Sequence, residues 1–355
     1  MKIAIDARLI GNSGIGTHIE NIVSILVYKY TRHHYLLIGS EKQIGLYRGI
    51  PNVDLLITNI PQFSLKELWA FPVKEINRCD IFYCPYINIP GRIKVPVYST
   101  IHDVLFFDVK GLSSRWGTLL RWAFYKRAVC LSKALFTVSE FSATRIKKHF
   151  HTNKDIHVIL NGISEQIKEY NPIKERVYDF PYYVYVGNIK KHKGIDVLIK
   201  AINEVNKRGF DIKLVLIGDY ERIKTKDRHV MDLLKSAGDK ILFTGFLSND
   251  KLYDIVSQAL ALVLPTHYEG FGIPPLESLY LGGNAIITDL PVLREVYSEL
   301  PVVFFKDGDI KALADWLVLS PQLNTDIMQT RQYIESHYSF DIVVEKIIRV
   351  IENRY

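Results

Sequence analysis

The fold turns on Ala259-Leu260-Ala261-Leu262-Val263-Leu264 and the residues that continue it, Pro265-Thr266-His267-Tyr268-Glu269-Gly270-Phe271-Gly272-Ile273-Pro274-Pro275-Leu276-Glu277-Ser278. The apolar run has the composition of a buried parallel strand, and a short amphipathic segment leaves the stretch, so the whole forms a strand-to-helix turn. The spacing of Glu269 and Glu277 would put both on roughly one face of a continuous helix, but Gly270, Gly272 and Pro274 forbid a helix there. Glu269 therefore belongs to a loop. Pro274 or Pro275 suits the first helical position, where the missing N–H costs nothing, which places Glu277 in or beside the first turn. Such a turn offers free N–H groups at the positive end of a helix, an anion site whose commonest occupant is a phosphate.

Working outward, the same strand–helix alternation fills the chain. Lys2-Ile3-Ala4-Ile5-Asp6 is a first strand and Ile15 to Tyr30 is helical; Tyr35 to Gly39, Asp54 to Thr58, Asp80 to Cys84, Val95 to Ile101, Leu135 to Val138 and Ile156 to Leu160 are further strands. After Asn161-Gly162-Ile163 the pattern lapses into a polar linker, Ser164 to Asp179, with Pro172 inside it. A second series then runs through Tyr182 to Val186, Lys213 to Ile217, Ile241 to Thr244, Ala259 to Leu264, Ala285 to Thr288 and Val302 to Phe305. Near-continuous apolar strands in this order predict α/β architecture: two Rossmann-like, doubly wound domains facing a cleft. The expected division is 1–170, 171–338 and a C-terminal helix, 339–355, able to return to the first domain, with Ile342, Val343, Ile347, Ile348 and Ile351 at helical period.

Composition bounds the function. The 355 residues are 48% apolar, enough for two cores. Asp6 and Arg8 stand where a signal peptide would be apolar, and no apolar run is long enough to span a bilayer, so a cytoplasmic protein is expected. Cys79, Cys84 and Cys130 fit no zinc spacing and are expected as buried thiols. The net charge of +7 is uneven: to residue 175 there are 23 Lys and Arg against 14 Asp and Glu, and beyond it 22 against 24. In the basic half, Arg115, Arg121, Lys126, Arg127 and Lys133 interleave with Trp116, Trp122, Phe124 and Tyr125, a pattern that fits either an interfacial helix at an anionic membrane or a solvated basic face backed by core aromatics. No nucleic-acid motif accompanies the charge.

In doubly wound sheets ligands collect at the carboxyl ends of strands, and the remaining candidates fall there. Asp6-Ala7-Arg8 leads through Gly11 to Gly14-Ile15-Gly16 and a helix, a turn that lets backbone approach a ligand or merely packs tightly. Thr100-Ile101-His102-Asp103 closes a strand; the histidine is either structural or placed to hydrogen-bond substrate hydroxyls, with Asp103 orienting it. Val186-Gly187-Asn188-Ile189-Lys190-Lys191-His192-Lys193-Gly194 gathers three lysines able to neutralise a diphosphate as it departs. Thr244-Gly245-Phe246-Leu247 can receive a flat base through backbone groups. Asp307-Gly308-Asp309 precedes a helix near Ile310, where acids are ordinary caps, so a metal role is discounted.

Together, Asp-Ala-Arg with Gly-Ile-Gly, Thr-Ile-His-Asp, Thr137-Val138-Ser139-Glu140-Phe141-Ser142, Asn161-Gly162-Ile163, Val186-Gly187-Asn188 with Lys193, and Glu269-Gly270-Phe271-Gly272 followed by Glu277 resemble the retaining GT-B glycosyltransferases of family 4. The similarity covers nearly the whole chain, and its amino-terminal elements resemble the bacterial mannosyltransferase branch of polysaccharide assembly. The resemblance implies that Glu277 accepts hydrogen bonds from a donor ribose and that Glu269 binds the transferred sugar. It also implies that N–H groups around Gly270, Phe271, Gly272 and Ile273 hold that sugar or the diphosphate, that Lys193 stabilises the leaving diphosphate, and that His102 contacts the sugar near the reacting carbon. Gly14 and Gly16 would approach the diphosphate, Asn188 would line the donor site, and Phe246 and Leu247 would meet the base. Asn188 departs from the family, many members of which carry arginine there; Lys190 or Lys191 would have to supply that charge without its bidentate fork. The implied reaction moves a hexose or deoxyhexose from a GDP-, UDP- or dTDP-linked donor to a glycan or lipid-linked saccharide, with retention, no metal and no cofactor. It would take place in the cytoplasm or at the inner face of the membrane. A GT-B epimerase or phosphorylase and a non-catalytic partner subunit are the alternatives.

Overall fold

The computed structural model describes residues 1–62, 64–173, 175–218, 232–234, 237–319 and 326–354. The chain forms two compact units, Met1–Gly162 with Phe340–Tyr355, and Ile163–Ser339.

The first unit holds a parallel sheet of seven strands, β1 (Lys2–Asp6), β2 (His34–Gly39), β3 (Val53–Ile57), β4 (Ile81–Cys84), β5 (Val97–Thr100), β6 (Ser132–Thr137) and β7 (Ile156–Val158), in the order 3-2-1-4-5-6-7. Strands β1, β2, β4 and β5 are buried nearly throughout, which is why they read as unbroken apolar runs rather than alternating ones. One face packs against helix Ser13–Lys29 through Ile19, Ile22, Val23 and Leu26. The same cluster takes in Phe340, Val343, Val344, Ile347, Ile348 and Ile351 of helix Phe340–Arg354. Lys29–Asp341 and Arg32–Glu352, both 2.7 Å, pin that helix at its rim. The other face is covered by Tyr125, Ala128, Val129, Ile146 and Phe150.

The second unit repeats the plan with β8 (Tyr182–Val186), β9 (Lys213–Ile217), β10 (Ile241–Gly245), β11 (Leu262–Leu264), β12 (Ala285–Thr288) and β13 (Val302–Phe305), all parallel. Their spatial order is β10-β9-β8-β11-β12-β13, so winding reverses between β8 and β11. At such a reversal the loops leaving two adjacent strands turn opposite ways and leave room at the carboxyl edge.

Three expectations change. The polar stretch from Ser164 is not a free linker: it carries a short helix, Glu165–Glu169, and Val177 N donates to Gln258 Oε1 at 2.9 Å while Gln258 Nε2 donates to Glu175 O at 3.0 Å, holding it to helix Asn249–Gln258. Cys79 and Cys84 are buried, but Cys130 is exposed, because it lies in the last turn of helix Arg115–Leu131 on the side away from Tyr125 and Val129. The first helix begins at Ser13, two residues before Ile15, so Gly14 and Gly16 sit inside it.

Candidate functional site

The loops after β8 and β11 are bolted together by one carbonyl. His192 O accepts from His267 N at 2.8 Å, and Thr266 Oγ1 lies 3.0 Å from the same oxygen. Gly194 makes the approach possible: it is left-handed, φ 63°, and a Cβ there would stand 1.9 Å from Pro265 O. With the two loops clamped, Lys193 Nζ reaches Glu269 Oε1 at 2.6 Å. The pair is partly exposed, Lys193 22% and Glu269 12%, so both groups are desolvated enough to attract strongly yet open to a ligand. Lys190 and Lys191 are exposed, and burial, helped by Lys193, Lys190 and His267, pushes His192 down to about 3, leaving it neutral.

The helix after the glycines spans Ile273–Tyr280, so Ile273 takes its first position and Pro274 and Pro275 the second and third. This narrows the expected anion site. The prolines have no N–H, and Leu276 N donates to the Tyr297 hydroxyl at 3.1 Å. Gly272 and Ile273 are left to offer consecutive N–H groups at the helix start. Tyr297, buried in helix Pro291–Tyr297, also donates to Gly272 O, so one phenol fixes both ends of the turn in which Gly272 adopts φ 85°.

Glu277 lies in the second turn of that helix, partly exposed, and its carboxylate has no hydrogen-bond or ion-pair partner among the described residues. Burial pushes its carboxyl up to about 7. A half-enclosed carboxylate without a protein donor is suited to accept from ligand hydroxyls. Asn188 is partly exposed and its carbonyl accepts from Tyr185 Oη at 3.1 Å. Phe246 follows β10 with 79% of its surface exposed, and Leu247 is partly exposed beside it. Asp309 Oδ1 accepts from Ala312 N at 2.9 Å, capping helix Ile310–Leu319, and Asp307 pairs with His267.

In the first unit, His102 follows β5 and is buried. Its Nε2 lies 3.1 Å from Pro85 O, an acceptor, so Nε2 carries the proton and Nδ1 is left as an acceptor. Burial lowers its pKa to about 4, which keeps it neutral. Asp103 does not orient it: Oδ1 accepts from Leu105 N at 3.0 Å, starting the short helix Leu105–Asp108. The orienting groups are Pro85 O and the ring of His18, edge-on at 4.8 Å. His18 is buried and donates from Nδ1 to Asn161 Oδ1 at 2.6 Å, which gives Asn161-Gly162 a defined task. Burial, then the nearby His102, holds His18 well below the usual histidine range.

Gly16 serves packing, since a Cβ there would meet Leu9 O at 2.3 Å; Gly14 faces open space. In Asp6-Ala7-Arg8 the charges are structural: Arg8 Nη2 lies 2.6 Å from Asp6 Oδ2 and 2.7 Å from Glu67 Oε1, all buried. Sequence pattern points to Lys193, Glu269 and Glu277 but misses His18, Tyr297 and Glu67. His18 stands one helical turn after Gly14 and could have been found from that spacing; Tyr297 and Glu67 lie too far along the chain from their partners for any motif to join them.

Known proteins match the chain in family and in fold. Residues 13–166 match the model for Glycosyltransferase Family 4, and residues 166–320 that for Glycosyl transferases group 1. The O-antigen biosynthesis glycosyltransferase WclY of Escherichia coli is 28% identical over 86% of this chain and 84% of its own. The O-antigen chain mannosyltransferase RfbU of Salmonella typhimurium is 28% identical over 61% of this chain and 58% of its own. Among solved structures, Anabaena HepE in complex with UDP and glucose superposes with a TM-score of 0.76 at 15% identity, covering 99% of this chain and 100% of that one, which establishes a shared GT-B fold. The chain is thus a member of the family 4, group 1 glycosyltransferases, one family model accounting for each half.

Proposed function

We propose that this glycosyltransferase moves a hexose or deoxyhexose from a nucleotide-sugar donor to a glycan or lipid-linked saccharide in cell-surface polysaccharide assembly, with retention and without a metal. The observation that carries the reading is the Lys193–Glu269 pair at the winding reversal of the second sheet, beside the N–H groups of Gly272 and Ile273. A cation and an anion 2.6 Å apart suit a substrate with a diphosphate on one side of a bond and sugar hydroxyls on the other. Lys193 neutralises charge as the diphosphate leaves, and Glu269 accepts from hydroxyls of the transferred sugar. Glu277 accepts from the ribose, and Phe246 and Leu247 border the base. In the first unit, neutral His102 has Nδ1 to offer a hydroxyl, and Gly14 lies at the start of helix Ser13–Lys29. The departing phosphate takes the acceptor's proton on the face it leaves, through an oxocarbenium-like transition state.

The likeness to O-antigen enzymes, one of them a mannosyltransferase, supports a polysaccharide acceptor and makes GDP-mannose the first donor to try, ahead of UDP- and dTDP-linked sugars. No helix among the described residues is long and apolar enough to cross a membrane; the basic first unit is the part we assign to contact with a lipid-linked acceptor at an anionic membrane surface. Thermal unfolding against a panel of nucleotide sugars tests the reading, because a bound donor raises stability by mass action. One or a few donors should stabilise the protein; stabilisation by none would reject a donor site.

A further inference from the structure

Helix Arg115–Leu131 carries an apolar stripe on its outer side. Trp116 is 81% exposed, Leu119 54% and Leu120 56%, and exposed Ala123 continues the series. Their spacing, i, i+3, i+4 and i+7, puts all four on one face. The helix is held from beneath, so this face is not core waiting to close. Tyr125, Ala128 and Val129 are buried, Lys126 Nζ donates to Phe150 O at 3.0 Å, and Arg127 donates to Ile89 O at 3.2 Å and Pro90 O at 3.0 Å. Ser114 caps its start, accepting from Gly117 N at 3.1 Å, and Arg121 stacks on Phe106 with 4.1 Å to the ring centroid. The charge around the stripe is mainly positive. The helix contains no Asp or Glu, Lys110 and Arg115 are exposed at its amino-terminal end, and residues 103–150 include nine Lys and Arg against Asp103, Asp108 and Glu140, of which Asp108 is paired with Arg145 and His149.

We infer that this stripe is the seat of an anionic lipid bilayer, with Trp116, Leu119 and Leu120 entering the headgroup–acyl boundary while Lys110 and Arg115 meet lipid phosphates. An exposed tryptophan with leucines one turn away, under a cationic rim, is the composition of a helix lying in the interface plane. A second copy of the chain is a poorer occupant, since a two-fold contact would set the same cations against each other, and so few side chains fall short of a stable protein interface. The inference deepens the peripheral-membrane part of the proposed function and rests on it only there.

The test is co-sedimentation of the full chain with vesicles of phosphatidylcholine alone or mixed with phosphatidylglycerol. Binding is expected to the mixed vesicles, weakened by salt, with a blue shift of tryptophan emission. The variant Trp116→Ser/Leu120→Ser, altered only at exposed positions, should lose about tenfold or more of that binding while keeping the wild-type unfolding temperature. Equal binding by the variant, equal binding to neutral vesicles, or no binding by the wild type would overturn the inference. So would a wild-type dimer in light scattering that the variant converts to monomer. Donor stabilisation and transfer to a soluble acceptor, measured on the same variant, report on the glycosyltransferase reading separately and should not change.

Discussion

Lys193 Nζ and Glu269 Oε1 stand 2.6 Å apart although the two residues are 76 positions apart in the chain, because His192 O and Gly194 lock the loop after β8 to the loop after β11. Two groups with different partners in the proposed reaction therefore hold each other in place. Lys193→Ala should lower transfer by roughly 10²–10³, and Glu269→Ala should abolish it without unfolding the chain. In a double-mutant cycle on donor affinity the two should be non-additive by about 0.5–3 kcal/mol; additive losses, read by calorimetry, would mean that they act independently.

Tyr297 bears on the motif without belonging to it. Its hydroxyl donates to Gly272 O and accepts from Leu276 N, so Tyr297→Phe leaves both buried backbone groups unmatched. A loss of about 1–3 kcal/mol in unfolding free energy is expected, together with weaker donor binding as the Gly272–Leu276 turn loosens. Denaturant unfolding and donor titration of the same variant check the two effects.

Glu277 makes stability depend on pH in an identifiable direction. Burial holds its carboxyl at about 7 against an ordinary 4.5, so the folded chain binds this proton more tightly than the unfolded one. Its contribution is fully present below pH 4.5 and is lost as pH rises toward 7. Glu277→Gln should flatten that fall, gaining on the wild type at pH 8 relative to pH 4. Donor affinity should move the other way in the wild type, strengthening as pH rises through about 7, because the ionised form accepts from both ribose hydroxyls.

The C-terminal helix is part of the first unit's core. Ile347 is fully buried among Ile19, Ile22 and their neighbours, so Ile347→Ala should cost about 2–5 kcal/mol. Thermal unfolding should show the loss, whereas Arg349→Ala, whose ion pair with Glu345 is exposed, should change little.

Much of this was legible in order of chain. Strands Tyr182–Val186, Lys213–Ile217, Ala285–Thr288 and Val302–Phe305 fall where the apolar runs put them, since buried parallel strands write themselves as near-continuous runs of aliphatic and aromatic residues. Boundaries slipped where a side chain elsewhere decides. Ala259–Ala261 are apolar but precede the strand, and the polar segment after Ser164 is ordered by Gln258, invisible to local composition. The candidate site divides in the same way. Glu269, Glu277 and Lys193 announce themselves beside glycines at strand ends, whereas the His18–His102 contact and the Tyr297 clasp join distant residues and need the fold to exist first. Asp103 shows the converse error: adjacency in sequence suggested a partner for His102, but a strand end turns neighbouring side chains apart.

The most direct measurement is the anomeric configuration of the product. With the donor that stabilises the protein most and an oligosaccharide acceptor, the one-bond carbon–proton coupling at the new anomeric centre, which separates the two anomers for mannose as for other hexoses, should report the same configuration as the donor. Inversion at that centre would contradict retaining transfer and the front-face role given to the departing phosphate beside Lys193.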